Sequence, residues 1–155
     1  MVDTVLLKFD STQLNELGTW VDSKDQMREW AGPNVRYPCS AYTLEKDLFS
    51  KGWPSYALTT VDNQLLGFGQ YYSRQNHCHL CRLIIAPSQR GKGFAAALIE
   101  QISLAASHAL GLKTSSLFVY TANHAAIKAY KKIGFKVTNY PGDDSIENCI
   151  YMVKS

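Results

Sequence analysis

The feature that most limits what this chain can fold into is the passage from Leu83 to Leu98, in which an apolar run enters a proline, turns through two glycines and continues with helical periodicity. Gly91 and Gly93 permit backbone conformations that a side chain would forbid. Consecutive N–H groups can then converge on one concavity at the mouth of a helix. The helix dipole adds positive potential at that point, and Arg90 and Lys92 bring two cations to it. The turn is therefore expected to hold a phosphorylated ligand.

With 155 residues, 46% of them apolar and 19% charged, the chain is expected to form one soluble domain over residues 1–155. No segment approaches the roughly 20 apolar residues needed to span a bilayer. Met1-Val2-Asp3-Thr4 opens no basic region followed by an apolar run, so the expectation is a cytoplasmic protein without membrane partners. A net charge of +3 is too small to argue for nucleic acid. The first 50 residues carry eight acidic and five basic side chains, and the remainder five acidic and eleven basic. That asymmetry suits an anionic ligand in one part and a cationic one in the other, or is plain surface scatter. Cys39, Cys78, Cys81 and Cys149 sit in apolar surroundings, as in a reducing compartment. Cys78-His79-Leu80-Cys81 has C-x-x-C spacing, but it reads as a strand, where residues three apart face opposite sides. No metal site is expected.

Val5–Phe9 reads as a first strand, and Asp10-Ser11-Thr12 as a helix start. Leu14, Leu17 and Val21 recur at helical spacing, and a second piece with Met27 and Trp30 ends at Ala31-Gly32-Pro33. After a loop from Asn34 to Ser40, a short helix is expected over Thr43–Ser50. Ser55–Val61 and Gln64–Tyr72 form a hairpin about Asp62-Asn63. His77–Ile85 is a third long strand, whose apolar tail fits a central strand or a β-bulge. The next helix carries Leu98, Ile99, Ile102, Ala105, Ala106 and Ala109 on one stripe and closes at Gly111. Ser115–Tyr120 is a strand again, so a right-handed crossover with parallel strands puts the glycine turn at their carboxyl ends, where ligands bind. A helix over Asn123–Ile133, a strand to Tyr140 and a last strand over Asn148–Val153 complete an α/β (α+β) chain. Its sheet is expected to be mixed and mostly antiparallel, with one parallel βαβ crossover and flanking helices.

Gly91-Lys92-Gly93-Phe94-Ala95-Ala96 satisfies the loose dinucleotide pattern G-x-G-x-x-[G/A], but positions 111–119 offer no acidic residue to hold a ribose. No Walker A sequence is present. Arg90-Gly91-Lys92-Gly93-Phe94-Ala95 also fits the [Gln/Arg]-x-x-Gly-x-[Gly/Ala] acetyl-CoA motif of the GNAT superfamily of N-acetyltransferases. The segment Asn123 to Phe135 resembles that family's N-x-x-A-x-x-x-Y-x-x-x-G-F signature, and the order of elements agrees with its fold.

This resemblance implies that acetyl-CoA is the co-substrate, its pyrophosphate on the N–H groups of Arg90 to Ala95. Its pantetheine would run beside Leu83 to Ile85, in a gap where the central strand and its parallel neighbour splay apart. The Ile85 N–H is the implied polariser of the thioester carbonyl. Asn123, Ala126 and Tyr130 belong to the implied coenzyme-binding set, and Asn123 also suits the cap of its helix. Tyr130 matches the tyrosine that protonates the departing thiolate, the alternative being a core tyrosine. His79 lies near the position of a family base, the alternative being a strand histidine. Arg82, on the other face, is expected to be structural or to face phosphate. The acceptor site is expected from the N-terminal helices, the Trp30–Tyr37 loop and the Gly142–Ser145 loop. Trp30, Tyr37, Tyr71 or Tyr72 would line it, and Glu29, Asp143 or Asp144 would attract a cation. The implied activity is acetyl transfer to a primary amine, in a small molecule or peptide, by direct attack. The alternative is a catalytically silent acyl-CoA-binding module. A homodimer is compatible with either.

Overall fold

The computed structural model describes residues 2–155. Its strands are β1 Thr4–Lys8, β2 Ser55–Thr60, β3 Leu65–Arg74, β4 His77–Ile85, β5 Ser115–Tyr120, β6 Lys136–Thr138 and β7 Cys149–Lys154. The helices are α1 Leu14–Gly18, α2 Lys24–Ala31, α3 Ala41–Phe49, α4 Phe94–Leu110 and α5 His124–Ile133. All seven strands join one sheet in the order β1-β2-β3-β4-β5-β7-β6. β4 and β5 run parallel, as the crossover through α4 requires, and the other pairings are antiparallel.

Local chemistry sets the helix ends. Ser23 accepts from the Gln26 N–H at 3.1 Å to start α2, and Ser40 accepts from the Thr43 N–H at 3.2 Å to start α3. Asn123 caps α5 by accepting from the Ala126 N–H at 3.3 Å. Gly111 closes α4 in the left-handed region at φ 70°.

α4 and α5 cover one face of the sheet, where Ile99 and Ile102 meet Tyr71, Leu80, Leu117 and Met152. The N-terminal helices cover part of the other, with Leu14, Leu17, Met27 and Leu44 against Phe68 and Ile84. Each such side chain contributes about 1.5–3 kcal/mol on burial, which places the main adhesion of the layers here. β3 lets α4 approach closely because it carries glycine toward it. A Cβ on Gly69 would stand 2.8 Å from Leu83 Cδ2 and 3.0 Å from Ile102 Cδ1.

One departure from the expected elements has an identifiable cause. β6 stops at Thr138 rather than Tyr140, because the Tyr140 ring turns to Phe118 and Tyr151 and its hydroxyl donates to Asp144 at 2.7 Å. β7 lies between β5 and β6, pairing with both.

The sheet is interrupted at its centre. β4 and β5 pair only at Cys78–Ser115 and His79–Ser116, although both strands continue beyond. On its other edge β4 bulges: Gln70 pairs with Cys81 and Phe68 with Ile84, leaving Arg82 and Leu83 opposite Gly69 alone. Arg82 takes a left-handed backbone, φ 52°, to make this bulge.

Candidate active site

The gap between the diverging strands is a cleft of about 1220 Å³. Its walls are the carboxyl half of β4, the end of β5, the start of α4 and the inner face of α5, with Trp20, Gln26, Glu29 and Trp30 lining one end. The volume exceeds the usual range for a drug-sized ligand and suits a long one.

Strand alternation decides which backbone groups look into it. Ala86 donates to the Leu66 carbonyl at 2.8 Å, so Ile84 belongs to the next hydrogen-bonded pair and Ile85 turns its N–H and C=O away from β3. The Ile85 carbonyl is met by the Arg90 Nε–H at 3.1 Å. Its N–H faces the cleft.

At the opposite end stands the glycine turn. Gly91 and Gly93 have φ of 77° and 86°, and a Cβ on either would project into open space. Gly93 is the N-cap of α4 and supplies no side-chain partner, so the first amides of a 17-residue helix are left for a ligand. These features fit a pyrophosphate: open, uncapped, at a positive dipole end and beside a guanidinium. Arg90, Gly91, Gly93, Phe94 and Ala95 line the cleft. The Lys92 side chain does not; its ammonium turns to the Gln89 Oε1 at 3.2 Å.

Asn123, the N-cap of α5, and Ala126 and Tyr130 on that helix line the cleft together with Leu83 and Ile85 of β4. Tyr130 packs edge-on against Phe135 at 6.1 Å. Burial pushes its phenol up to about 12, so it remains protonated through the neutral range. The Cys81 thiol, also in the wall, is pushed up to about 12 by burial and stays a thiol.

His79 requires a correction. It is only 2% exposed and lies outside the cleft wall, with Nδ1 sharing a hydrogen bond with Ser116 Oγ at 2.8 Å. Tyr72 and Phe118 close over its ring at 5.2 Å each. Burial, reinforced by the charges of Arg74 and His77, pulls its pKa down to about 3. A ring so enclosed neither reaches an acceptor nor takes up a proton at neutral pH.

The acceptor end also differs from expectation. Trp30 lines the cleft, but Tyr71 is buried against Tyr56, Tyr72 stacks on Trp53 at 4.2 Å, and Tyr37 packs into the N-terminal core. Asp144 is bound by Arg74 at 3.2 Å and by the Tyr140 hydroxyl, and neither it nor Asp143 lines the cleft. Glu29 does line it, and among the described residues it forms no ion pair.

One relationship had no sequence signal. The Trp30 Nε1–H donates to the Arg82 carbonyl at 2.8 Å, across 52 positions. The Arg82 guanidinium donates to the carbonyls of Ala31 and Leu48, at the carboxyl ends of α2 and α3, and to Gln70 Oε1, at 3.1–3.2 Å. Two negative helix ends thus offset its buried charge, making Arg82 a structural pin. Left-handed backbone at a non-glycine residue cannot be read from residue type.

A mixed sheet split at its one parallel pair, with an uncapped helix start at one end of the split, defines a protein built to hold an extended nucleotide thioester. The chain belongs to the acetyltransferase (GNAT) family, whose model matches residues 24–135, and acetyl-CoA is that family's co-substrate. Among solved structures it is similar to a spermidine N-acetyltransferase from Vibrio cholerae in complex with CoA and spermine, at 20% identity. The match covers 97% of this chain and 94% of that one, with a TM-score of 0.73. A chimera of that enzyme and hSSAT is also similar, at 19% identity and TM-score 0.73, over 97% of this chain and 94% of the other. No helix among the described residues is long and apolar enough to cross a membrane.

Proposed function

We propose that this protein is a cytoplasmic N-acetyltransferase that moves acetyl from acetyl-CoA to a primary amine by direct attack, with Tyr130 as the acid. The observation that carries the reading is the split between β4 and β5, with free amides at the glycine turn and a protonated phenol in the opposite wall. When bound, acetyl-CoA supplies a thioester carbonyl open to attack and a sulfur leaving group. The amides of Arg90 to Ala95 hold the pyrophosphate, and the unpaired edge of β4 holds the arm beside Leu83 and Ile85. Tyr130 lends its proton to the departing sulfur. The acceptor ammonium loses its proton to water at the open mouth, where the Glu29 carboxylate favours a cationic molecule. The spermine in one similar structure supports placing polyamines among the candidate acceptors.

The test mixes full-length protein and acetyl-CoA with spermidine, amino acids, aminoglycosides and peptides, and follows free thiol. Amine-dependent thiol release is the expected result. Tight acetyl-CoA binding with no release for any amine overturns the reading in favour of a silent acyl-CoA-binding module.

A further inference from the structure

The bulge on β4 has a detail that the donor site does not require of every such cleft. Hydrogen-bonded pairing with β3 resumes at Gln70–Cys81 on one side of the bulge and at Phe68–Ile84 on the other, since Tyr71 donates outward to Pro54 and Ala86 to Leu66. The peptide unit between Arg82 and Leu83 is therefore left out of the ladder. Pairing with β5 has already ended at His79, so that edge has no strand partner either. The carbonyl of this unit is taken by the Trp30 indole at 2.8 Å, on the side of the N-terminal helices. A trans peptide directs its N–H opposite to its C=O, so the Leu83 N–H is aimed away from the Trp30 indole, and Leu83 itself lines the cleft.

Resting on the donor-site reading above, we infer that Trp30 is a positioning residue for the acyl group: its indole N–H holds the Arg82–Leu83 peptide so that the Leu83 N–H meets the thioester carbonyl. The bond also polarises the unit it holds, since a carbonyl that accepts a hydrogen bond leaves its peptide N–H a stronger donor. Arg82 contributes the left-handed turn and Trp30 its orientation. Ile85, tied through Arg90 to the glycine turn, then serves the arm nearer the phosphates rather than the thioester carbonyl that its N–H was expected to meet. Leu83 lies two residues closer to the point where the strands close.

Trp30→Phe removes the indole donor and retains an aromatic ring against Phe68, which Trp30 meets at 6.0 Å. Acetyl-CoA isotope-labelled at the thioester carbonyl is bound to each protein, and the carbonyl band is read by difference infrared spectroscopy. In the native protein the band should lie below that of free acetyl-CoA. In the variant most of this displacement should disappear, while affinity for CoA, which lacks the acyl carbonyl, changes by no more than about twofold. An equal displacement in both proteins overturns the inference, as does no displacement in the native protein. Failure of the native protein to bind acetyl-CoA or CoA at all instead refutes the donor-site reading. A second measurement needs no variant: with nitrogen-labelled leucine, the Leu83 amide resonance should differ between the acetyl-CoA and CoA complexes. Identical resonances would also overturn it.

Discussion

The Arg90 Nε–H donates to the Ile85 carbonyl at 3.1 Å, tying the glycine turn to the end of the strand that borders the cleft. The turn is thereby held in place before any ligand arrives. Arg90→Ala should weaken CoA binding about 10-fold, the scale of one charge-assisted hydrogen bond. Calorimetric titration checks it, and an unchanged affinity would assign the pre-ordering to the glycines alone.

In its proposed role as the acid, Tyr130 would offer a proton without carrying binding energy for the nucleotide. Tyr130→Phe should lower turnover by about 100-fold, the middle of the range for a positioned general acid. CoA affinity should hold. Steady-state rates beside direct titration separate the two, and equal turnover in both proteins would remove the phenol from the chemistry.

Gly93→Ala isolates backbone strain, because the added Cβ meets no neighbour within 4 Å. The cost is conformational, about 1 kcal/mol for a left-handed alanine, and should appear as a lower Tm. CoA affinity should fall as well, since the same residue begins α4. A variant that keeps both values would show that the turn does not need glycine there.

His79 gives the fold a pH dependence of known sign. Its pKa is pulled from 6.5 to about 3, so the unfolded chain binds the extra proton between those limits. The contribution is complete above pH 6.5 and declines as the pH falls toward 3, with a slope of up to about 1.4 kcal/mol per pH unit. In His79→Gln this segment of a denaturation-against-pH curve should flatten. An identical slope in both proteins would place the titration elsewhere.

Much of the fold was legible because its signals are local. The glycines at 91 and 93, the stripe through Leu98, Ile99 and Ile102, and the cap at Asn123 each act within a few residues, and their elements formed as expected. The stretches proposed to hold the coenzyme meet in one cleft through the same signals, since Arg90 to Ala95 and Asn123 to Tyr130 are contiguous and set by two helix starts. The acceptor side depends on contacts distant in sequence. Alternation places His79 on a strand face, but only the arrival of Tyr72 and Phe118 decides that the face is covered. Asp144 reads as a free carboxylate until Arg74, 70 positions away, is seen to hold it. The bulge at Arg82 is the extreme case, because it is stabilised by carbonyls of two helices and an indole rather than by its own conformational preference.

The two-pair seam between β4 and β5 also bears on motion. Strands β1 to β4 form one plate and β5, β7 and β6 another, and along the sheet only Cys78–Ser115 and His79–Ser116 join them. A ligand lying in the split would add rungs to this hinge, so its binding should be registered as a stiffening between the plates. Amide exchange at Ser115 and Ser116 should therefore slow when CoA is added, and more than exchange along the β1–β2 ladder, which is continuous without it.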